Sequence, residues 1–465
     1  MGTIGARTTT QRKLRDAPPT QHASLALAAL CLGFFMVLLD GSALNIALPS
    51  IQSEIGASMG ALQWLVNIYT IPLAALLLSA GTFADRWGAR RVFIISLAGF
   101  TAASLACALA PGLGALVVFR FVQGVFAAGV LPTTLAIIAR TYPDPVERAK
   151  AITVWGAVGG IALVAGPLGG GVLTEAFGWR SIFVINVPIG LLALALTVWA
   201  VAETDRRLDG GFDWLGQAFA IGGLALLVAG LIEAGERGWD DVLTILLLVA
   251  AVAVLGAFVV VERRVSAPVL PLGMFGVPAF TASIVNGFAF QFGAYGLQFM
   301  LALFVQRQWD FDPRTTGLFF LPFAVLWTFA TLVLNRLWSG RGMRWLLVTG
   351  ATIAFVGALV CLAAAGPDSW PILLAGSAVV GFGCGLFGPS CNGAAMASAD
   401  RRYAGLASGV LNTSRQVGMA IGVAVLGVCL ALADPVTGMR LGIILTAVAF
   451  GAIVFLSYRY VPSRQ

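Results

Sequence analysis

Fourteen apolar runs, each near the roughly 20 residues that a helix needs to cross the hydrocarbon core of a bilayer, leave this chain few ways to fold. They lie near 24–51, 61–81, 92–111, 114–139, 149–177, 181–202, 215–234, 242–261, 279–304, 316–337, 345–365, 370–397, 405–432 and 439–460. Hydrophobic residues make up 59% of the 465 and charged residues 11%, too little polar surface to cover a water-soluble fold of this size. Backbone N–H and C=O groups in lipid must be paired within their own segment. The expected fold class is therefore an all-α polytopic membrane protein.

The charges between the runs give an orientation. If both termini are cytoplasmic, the inner segments hold 21 of the 28 Lys and Arg, while the outer loops hold Arg180, Arg237, Arg307, Arg314 and Arg440. Positive residues favour the cytoplasmic side, and one missed span would scramble this alternation downstream. The net charge of +7 is thus a topology signal, since the basic residues form short clusters rather than one stripe, and no nucleic-acid partner is expected. Residues 1–23 read as a cytoplasmic tail, because they lack the apolar core and cleavage site of a signal peptide.

The linker ETDRRLDGGFD (203–213) follows six spans, and ERRVSAPVLPLG (262–273) follows two more. The expected organisation is a six-helix bundle over 24–203, linkers and two inserted helices over 204–275, and a second bundle with a short tail over 276–465. Two such bundles suit a transporter whose halves rock about a central site. GTFADRWG (81–88) and NRLWSGRG (335–342) occupy equivalent loops, although Ser339 stands where the first copy has Asp85.

Other chemistry is hard to place on this chain. The six cysteines all fall inside apolar runs, so no disulfide is expected. His22 is the lone histidine, and no metal-ligand cluster or motif for nucleotide binding or nucleophilic catalysis stands out. We expect neither an enzyme nor a cofactor, with a proton gradient as the energy source.

Asp40 lies deep in CLGFFMVLLDGSALNIALP and reads as the one buried carboxylate. A carboxylate at bilayer depth costs about 2.5 to 3.5 kcal/mol, so such residues persist where they carry protons, ions or substrate. Arg120, near the outer end of the fourth span, lies at a depth compatible with pairing. An arginine favours ionised Asp40 and burial favours the protonated form. The pair is either a proton switch or a permanent structural ion pair. Phe288, Gln291, Tyr295 and Gln298 recur every three or four residues and share one face of the ninth span. Arg415 lies mid-span without an acid at its depth; backbone carbonyls, Asn412 or Gln416 could partner it.

LDGSALNIALP (39–49), GTFADRWGARR (81–91), RFVQGVFAAG (120–129), GPLGG (166–170), GWRSIFVINVPIG (178–190) and AGLASGVLNTSRQVG (404–418) occur in one order. From residue 24 onward the chain resembles the major facilitator superfamily, in particular its fourteen-span drug:proton antiporters. The resemblance implies the major facilitator fold, with Asp40 and Arg120 as the proton-coupling pair. Asn45, Trp64, Asn67, Phe288, Gln291, Tyr295, Gln298 and Asn392 become candidates for the substrate cavity, although buried amides also simply join helices.

The same resemblance makes Gly81, Asp85, Arg86, Gly88 and Arg90 a latch for the outward-facing state; the alternative is a positive-inside anchor. Gly81 and Gly88 would permit a tight turn there. Ala89 departs from the family, which usually has a basic residue at that place. Gly166, Pro167, Gly169 and Gly170 match the motif that marks exporters, with Ala162 departing one turn earlier; on composition alone they could serve helix packing. Arg415 and Asn412 are assigned a gating or structural role. The implied function is export of lipophilic small molecules, cationic ones included, in exchange for protons across a bacterial cytoplasmic membrane. Alternatives are an exporter or flipper of a lipid or self-made antibiotic, a proton symporter, or a sensor or scaffold that transports nothing. The expected partners are a lipophilic substrate, protons and the bilayer, with the protein a monomer.

Overall fold

The computed structural model describes residues 23–202, 213–265, 268, 270, 272–338, 341–364, 369–399, 404–431 and 434–463. Fourteen helices among them are long and apolar enough to cross a membrane. The first six are α1 (Ala23–Ile55), α2 (Met59–Trp87), α3 (Ala89–Ala108), α4 (Leu113–Thr141), α5 (Pro145–Phe177) and α6 (Asn186–Ala200), the last preceded by a short helix at Ser181–Val184. Next come α7 (Trp214–Arg237) and α8 (Val242–Glu262). The remainder are α9 (Pro278–Gln308), α10 (Pro313–Phe329), α11 (Met343–Leu362), α12 (Trp370–Ser398), α13 (Ala404–Leu430) and α14 (Pro435–Tyr460).

Short polar side chains set many of the helix starts. Ser58 accepts from the backbone N–H of Ala61, Asp241 from Leu243 and Thr244, and Asp312 from Thr315. Each such cap is worth about 1 kcal/mol to its helix. Asp144 and Asp434 act in the same way, each with a proline at the first helical position.

The packing repeats with a shift of eight helices. In the first six, α1 packs on α5 and α6, α2 on α4, and α3 on α4 and α6. In the last six, α9 packs on α13 and α14, α10 on α12, and α11 on α12 and α14. The two halves meet through α5 against α10 and α2 against α13, which are themselves equivalent under the same shift. The hairpin α7–α8 lies against α2 and α13. Val242, Val249 and Val252 of α8 are 61–72% exposed, an apolar face fit for lipid rather than water.

Two expectations need correction. Gly81 does not open a turn, because α2 continues through it to Trp87. The reversal occurs at Gly88 alone, with φ 92°, a conformation that a side chain would strain. Nor is Asp40 the sole buried carboxylate: Asp213 and Glu262 are 6% and 4% exposed at the ends of the inserted hairpin. Asp213, at the N-terminus of α7, accepts from the free Gly216 N–H there, and Glu262, at the C-terminal end of α8, accepts from Leu270 N of the following linker.

Candidate functional site

Asp40 is 2% exposed and held by three donors from two neighbouring helices, α4 and α6. Its Oδ2 accepts from Arg120 Nη1 on α4 at 2.6 Å, and its Oδ1 accepts from Gln123 Nε2 at 3.0 Å and from Asn186 Nδ2 of α6 at 2.9 Å. Gln123 lies three residues beyond Arg120, so both occupy one face of α4, and Arg120 Nη1 also donates to Gln123 Oε1 at 2.8 Å. Asn186 donates in addition to Ser104 Oγ of α3, which donates to the carbonyl of Phe183. The Arg120 guanidinium stacks 4.2 Å from the ring centre of Tyr69 on α2, and its Nε reaches the Leu65 carbonyl at 3.4 Å.

Three donors converge on one carboxylate and satisfy both of its oxygens. A buried pair contributes little net stability compared with apolar residues of similar volume. Removing one partner is a different matter, costing about 3–5 kcal/mol. Such an arrangement is poor as mortar and well suited to a two-state group. It also keeps Asp40 away from any ligand: nothing larger than a proton reaches the carboxylate without rearrangement of the helices.

Immediately beyond Asp40, α1 presses on the GPLGG segment of α5. A Cβ on Gly166 would overlap Ser42 Oγ, and one on Gly170 would lie 2.9 Å from Ala43 Cα. The other side of the same segment meets the second half, where a Cβ on Gly171 would come 2.5 Å from the Pro313 carbonyl of α10. Farther along, Thr328 of α10 donates to the Gly160 carbonyl at 3.0 Å. Thus α5 is clasped between the helix that carries Asp40 and the first helix-to-helix seam of the other half. Across the face opposite the termini, Arg307 of α9 donates to Gln52 Oε1 at 2.5 Å and Gln306 to the Ile46 carbonyl at 3.2 Å. Glu54 accepts there from Trp179 and from Arg180.

The remaining candidates do not form one group. Asn45 and Asn67 are 5% and 0% exposed, and Asn45 Oδ1 and both amide atoms of Asn67 lack a partner in the protein. Trp64 packs with Ile71, Leu224, Val228 and Ala424, turned toward the inserted helix. Phe288, Gln291, Tyr295 and Gln298 form a half-buried stripe along the otherwise buried α9, where Phe288 stacks on Phe292. Arg415 Nη2 donates to the Gly388 carbonyl at 2.9 Å and Nη1 approaches Asn392 Oδ1 at 3.5 Å, with the guanidinium 5.6 Å from the Phe290 ring. Asn412 is not its partner; that amide bonds back to Ser408 of its own helix at 3.0 Å. Arg90 donates to the Val198 carbonyl near the end of α6, inside the first half. Arg86 is partly exposed, and the Asp85 side chain lies outside the described residues.

Gln123 and Asn186 were not singled out by the sequence, although both stand in quoted motifs. The i, i+3 spacing from Arg120 was available as a signal for Gln123. For Asn186 there was only a lone amide in an apolar run.

The chain matches the family model described as Major Facilitator Superfamily over residues 30–423. It is 35% identical over 407 residues to the multidrug resistance protein Stp of Mycobacterium tuberculosis (strain ATCC 25618 / H37Rv), covering 88% of this chain and 76% of the relative. It is 38% identical to the puromycin resistance protein pur8 of Streptomyces alboniger, over 84% and 78% of the two chains. The tetracenomycin C resistance and export protein of Streptomyces glaucescens is 34% identical over 87% and 75%. Among solved structures, a bacterial homolog to the human lysosomal transporter Spinster superposes with a TM-score of 0.67 at 18% identity, over 96% of this chain and 99% of that one. An auto inhibited POT family peptide transporter gives 0.69 at 16%, over 94% and 97%. These two likenesses establish the fold.

Proposed function

The chain belongs to the major facilitator superfamily and is a multi-pass membrane transporter, and from that premise we propose that it exports lipophilic small molecules from the cytoplasm in exchange for protons. The observation that carries this reading is the sealed cluster of Asp40, Arg120, Gln123 and Asn186, placed one turn from the contact of α1 with the GPLGG segment of α5, whose other side meets α10. Its relatives named for multidrug, puromycin and tetracenomycin C resistance support the choice of cargo.

A proton on Asp40 removes the charge that holds Arg120 and turns one carboxylate oxygen from acceptor to donor. The guanidinium then keeps only Gln123, the Leu65 carbonyl and the Tyr69 face. Movement of α1 released in this way is handed to α5 through Ser42 and Ala43, and from α5 to α10. Proton and substrate thus need not touch to exclude one another. With both termini in the cytoplasm, the side chains that bridge the far face close the outer side, leaving the inner side to receive substrate. If the substrate is neutral, one proton crossing about 100 mV supplies roughly 2.3 kcal/mol, about fifty-fold accumulation.

The decisive experiment follows proton release from purified protein on addition of lipophilic cations and neutral antibiotics, with Asp40→Asn as control. Release is expected from the unaltered protein and absent from the variant; equal release would overturn the assignment of Asp40. Everted vesicles acidified inside should accumulate substrate, and accumulation under the reverse gradient alone would mean import. A second reading, a dedicated exporter of one antibiotic, draws on the relatives named for resistance to single compounds. It predicts that one member of the panel alone releases protons.

A further inference from the structure

A chamber of about 240 Å³ lies between the inserted hairpin and the second half, and its lining includes none of the Asp40 cluster, the α9 stripe or Arg415. Ala75 of α2, Leu224 of α7, Phe258 of α8, Ile284 of α9 and Val417 of α13 make its walls apolar. Three polar side chains interrupt them, and one of these, Ser414 of α13, is satisfied by donating to the Ile284 carbonyl at 2.8 Å. Gln217 of α7 is 4% exposed, and neither its Oε1 nor its Nε2 has a partner in the protein. Thr413 Oγ1 of α13, also on the lining, is buried and equally unpartnered.

Buried amides and hydroxyls nearly always find a partner, and in lipid no bulk water substitutes for one. An amide that needs both a donor and an acceptor, sharing a lining with a hydroxyl that can serve as either, matches a ligand group with the same dual character. The chamber is slightly below the roughly 300 Å³ at which drug-sized pockets begin, so its occupant is small. Its floor is built rather than incidental. Leu270, a lining residue, gives its backbone N–H to Glu262 Oε2 at 3.0 Å, and Asp213 caps Gly216 at 2.7 Å. Entry from the bilayer fits the apolar, lipid-facing exterior of α8.

We propose that this chamber is a second ligand site, taking from the membrane a small neutral lipophile that carries one hydroxyl or amide group, which Gln217 and Thr413 recognise. Because the hairpin bridges α2 and α13, one helix from each half, an occupant here also wedges the seam between the halves. The site stands whether or not the protein exports drugs, since its test reads binding alone.

The full-length protein in lipid nanodiscs is irradiated with a diazirine-bearing alkylphenol and the adducts are mapped by mass spectrometry. Adducts are expected on α7 and α13 beside Gln217 and Thr413. Ala220→Trp, which fills the space, should abolish them, and Gln217→Leu, which removes the amide at similar volume, should cut their yield about tenfold. A measurement on the unaltered protein guards against misfolded variants: an unlabelled alkylphenol should compete at least about tenfold better than the alkylbenzene lacking the hydroxyl. Equal competition, or equal labelling of a folded Gln217→Leu variant, would make the chamber a slot for lipid tails and overturn the proposal. Adducts confined to other helices would overturn it as well.

Discussion

The two halves share one packing plan and differ in how each treats the arginine within its spans, buried in the first and part-buried in the second. In the first, Arg120 meets a carboxylate, an amide and an aromatic face, and Asp40 is satisfied by three donors. In the second, Arg415 meets a backbone carbonyl, a distant amide oxygen and an aromatic ring, and its Nε is buried without a hydrogen-bond partner. The first half sets its guanidinium against a carboxylate and the second sets its own against a backbone carbonyl. On the proposed reading, only the first half then holds the group that exchanges a proton in the cycle.

The largest expected effect comes from removing the titrating group. Asp40→Asn should eliminate ligand-induced proton release and energised transport, while substrate still binds in equilibrium assays. If transport against a gradient survives in Asp40→Asn, the division between halves fails. The next largest tests how the first half speaks to the second. Gly170→Val would force α5 off Ala43, an overpacking cost of about 1–3 kcal/mol, and should block turnover in protein that still inserts and still binds ligand. Normal turnover would mean that the clasp on α5 does not carry the movement.

A double substitution separates coupling from mere stability. Arg120→Gln alone leaves Asp40 buried with two amides, and should lower stability by about 3–5 kcal/mol, read as a fall in thermal midpoint. Pairing it with Asp40→Asn removes both charges and should restore most of that midpoint without restoring proton release. A double variant that releases protons would make the pair a structural bridge and return the question of where protons bind.

Much of this was legible before any coordinates. The spans came from run length, and the loops from charge, because lipid imposes a length and a polarity on every helix. The match of Asp40 with Arg120 rested on compatible depth together with the family resemblance. Lateral identity did not follow: nothing in the chain says which face of α2 carries Trp64, and the structure turns it toward Leu224 and Val228 of the insert. Gly81 misled for a related reason, since a glycine that permits a turn does not require one, and α2 keeps its hydrogen bonds through that position. Asn412 stood near enough in sequence to suggest itself as Arg415's partner, but a three-residue separation also allows an amide to bond back along its own helix. The Gly388 carbonyl, 27 residues away, could not have been chosen from sequence.

The smallest effects lie in the second half, and they probe whether it chooses the cargo. Arg415→Gln removes a charged hydrogen bond to the Gly388 carbonyl, worth roughly 1.5–3 kcal/mol, and should slow turnover while ligand-induced proton release persists. Gln291→Ala is subtler, because Gln291 stands half-buried in the stripe with Phe288, Tyr295 and Gln298. If that stripe faces substrate, losing one neutral hydrogen bond of about 0.5–1.5 kcal/mol should weaken binding by two- to tenfold. The loss should fall on polar substrates and spare purely apolar ones, since only the former lose a partner. A uniform loss across the panel would instead mark Gln291 as a tie between helices, and the selecting surface would then have to be sought on the Asn392 side of the same half.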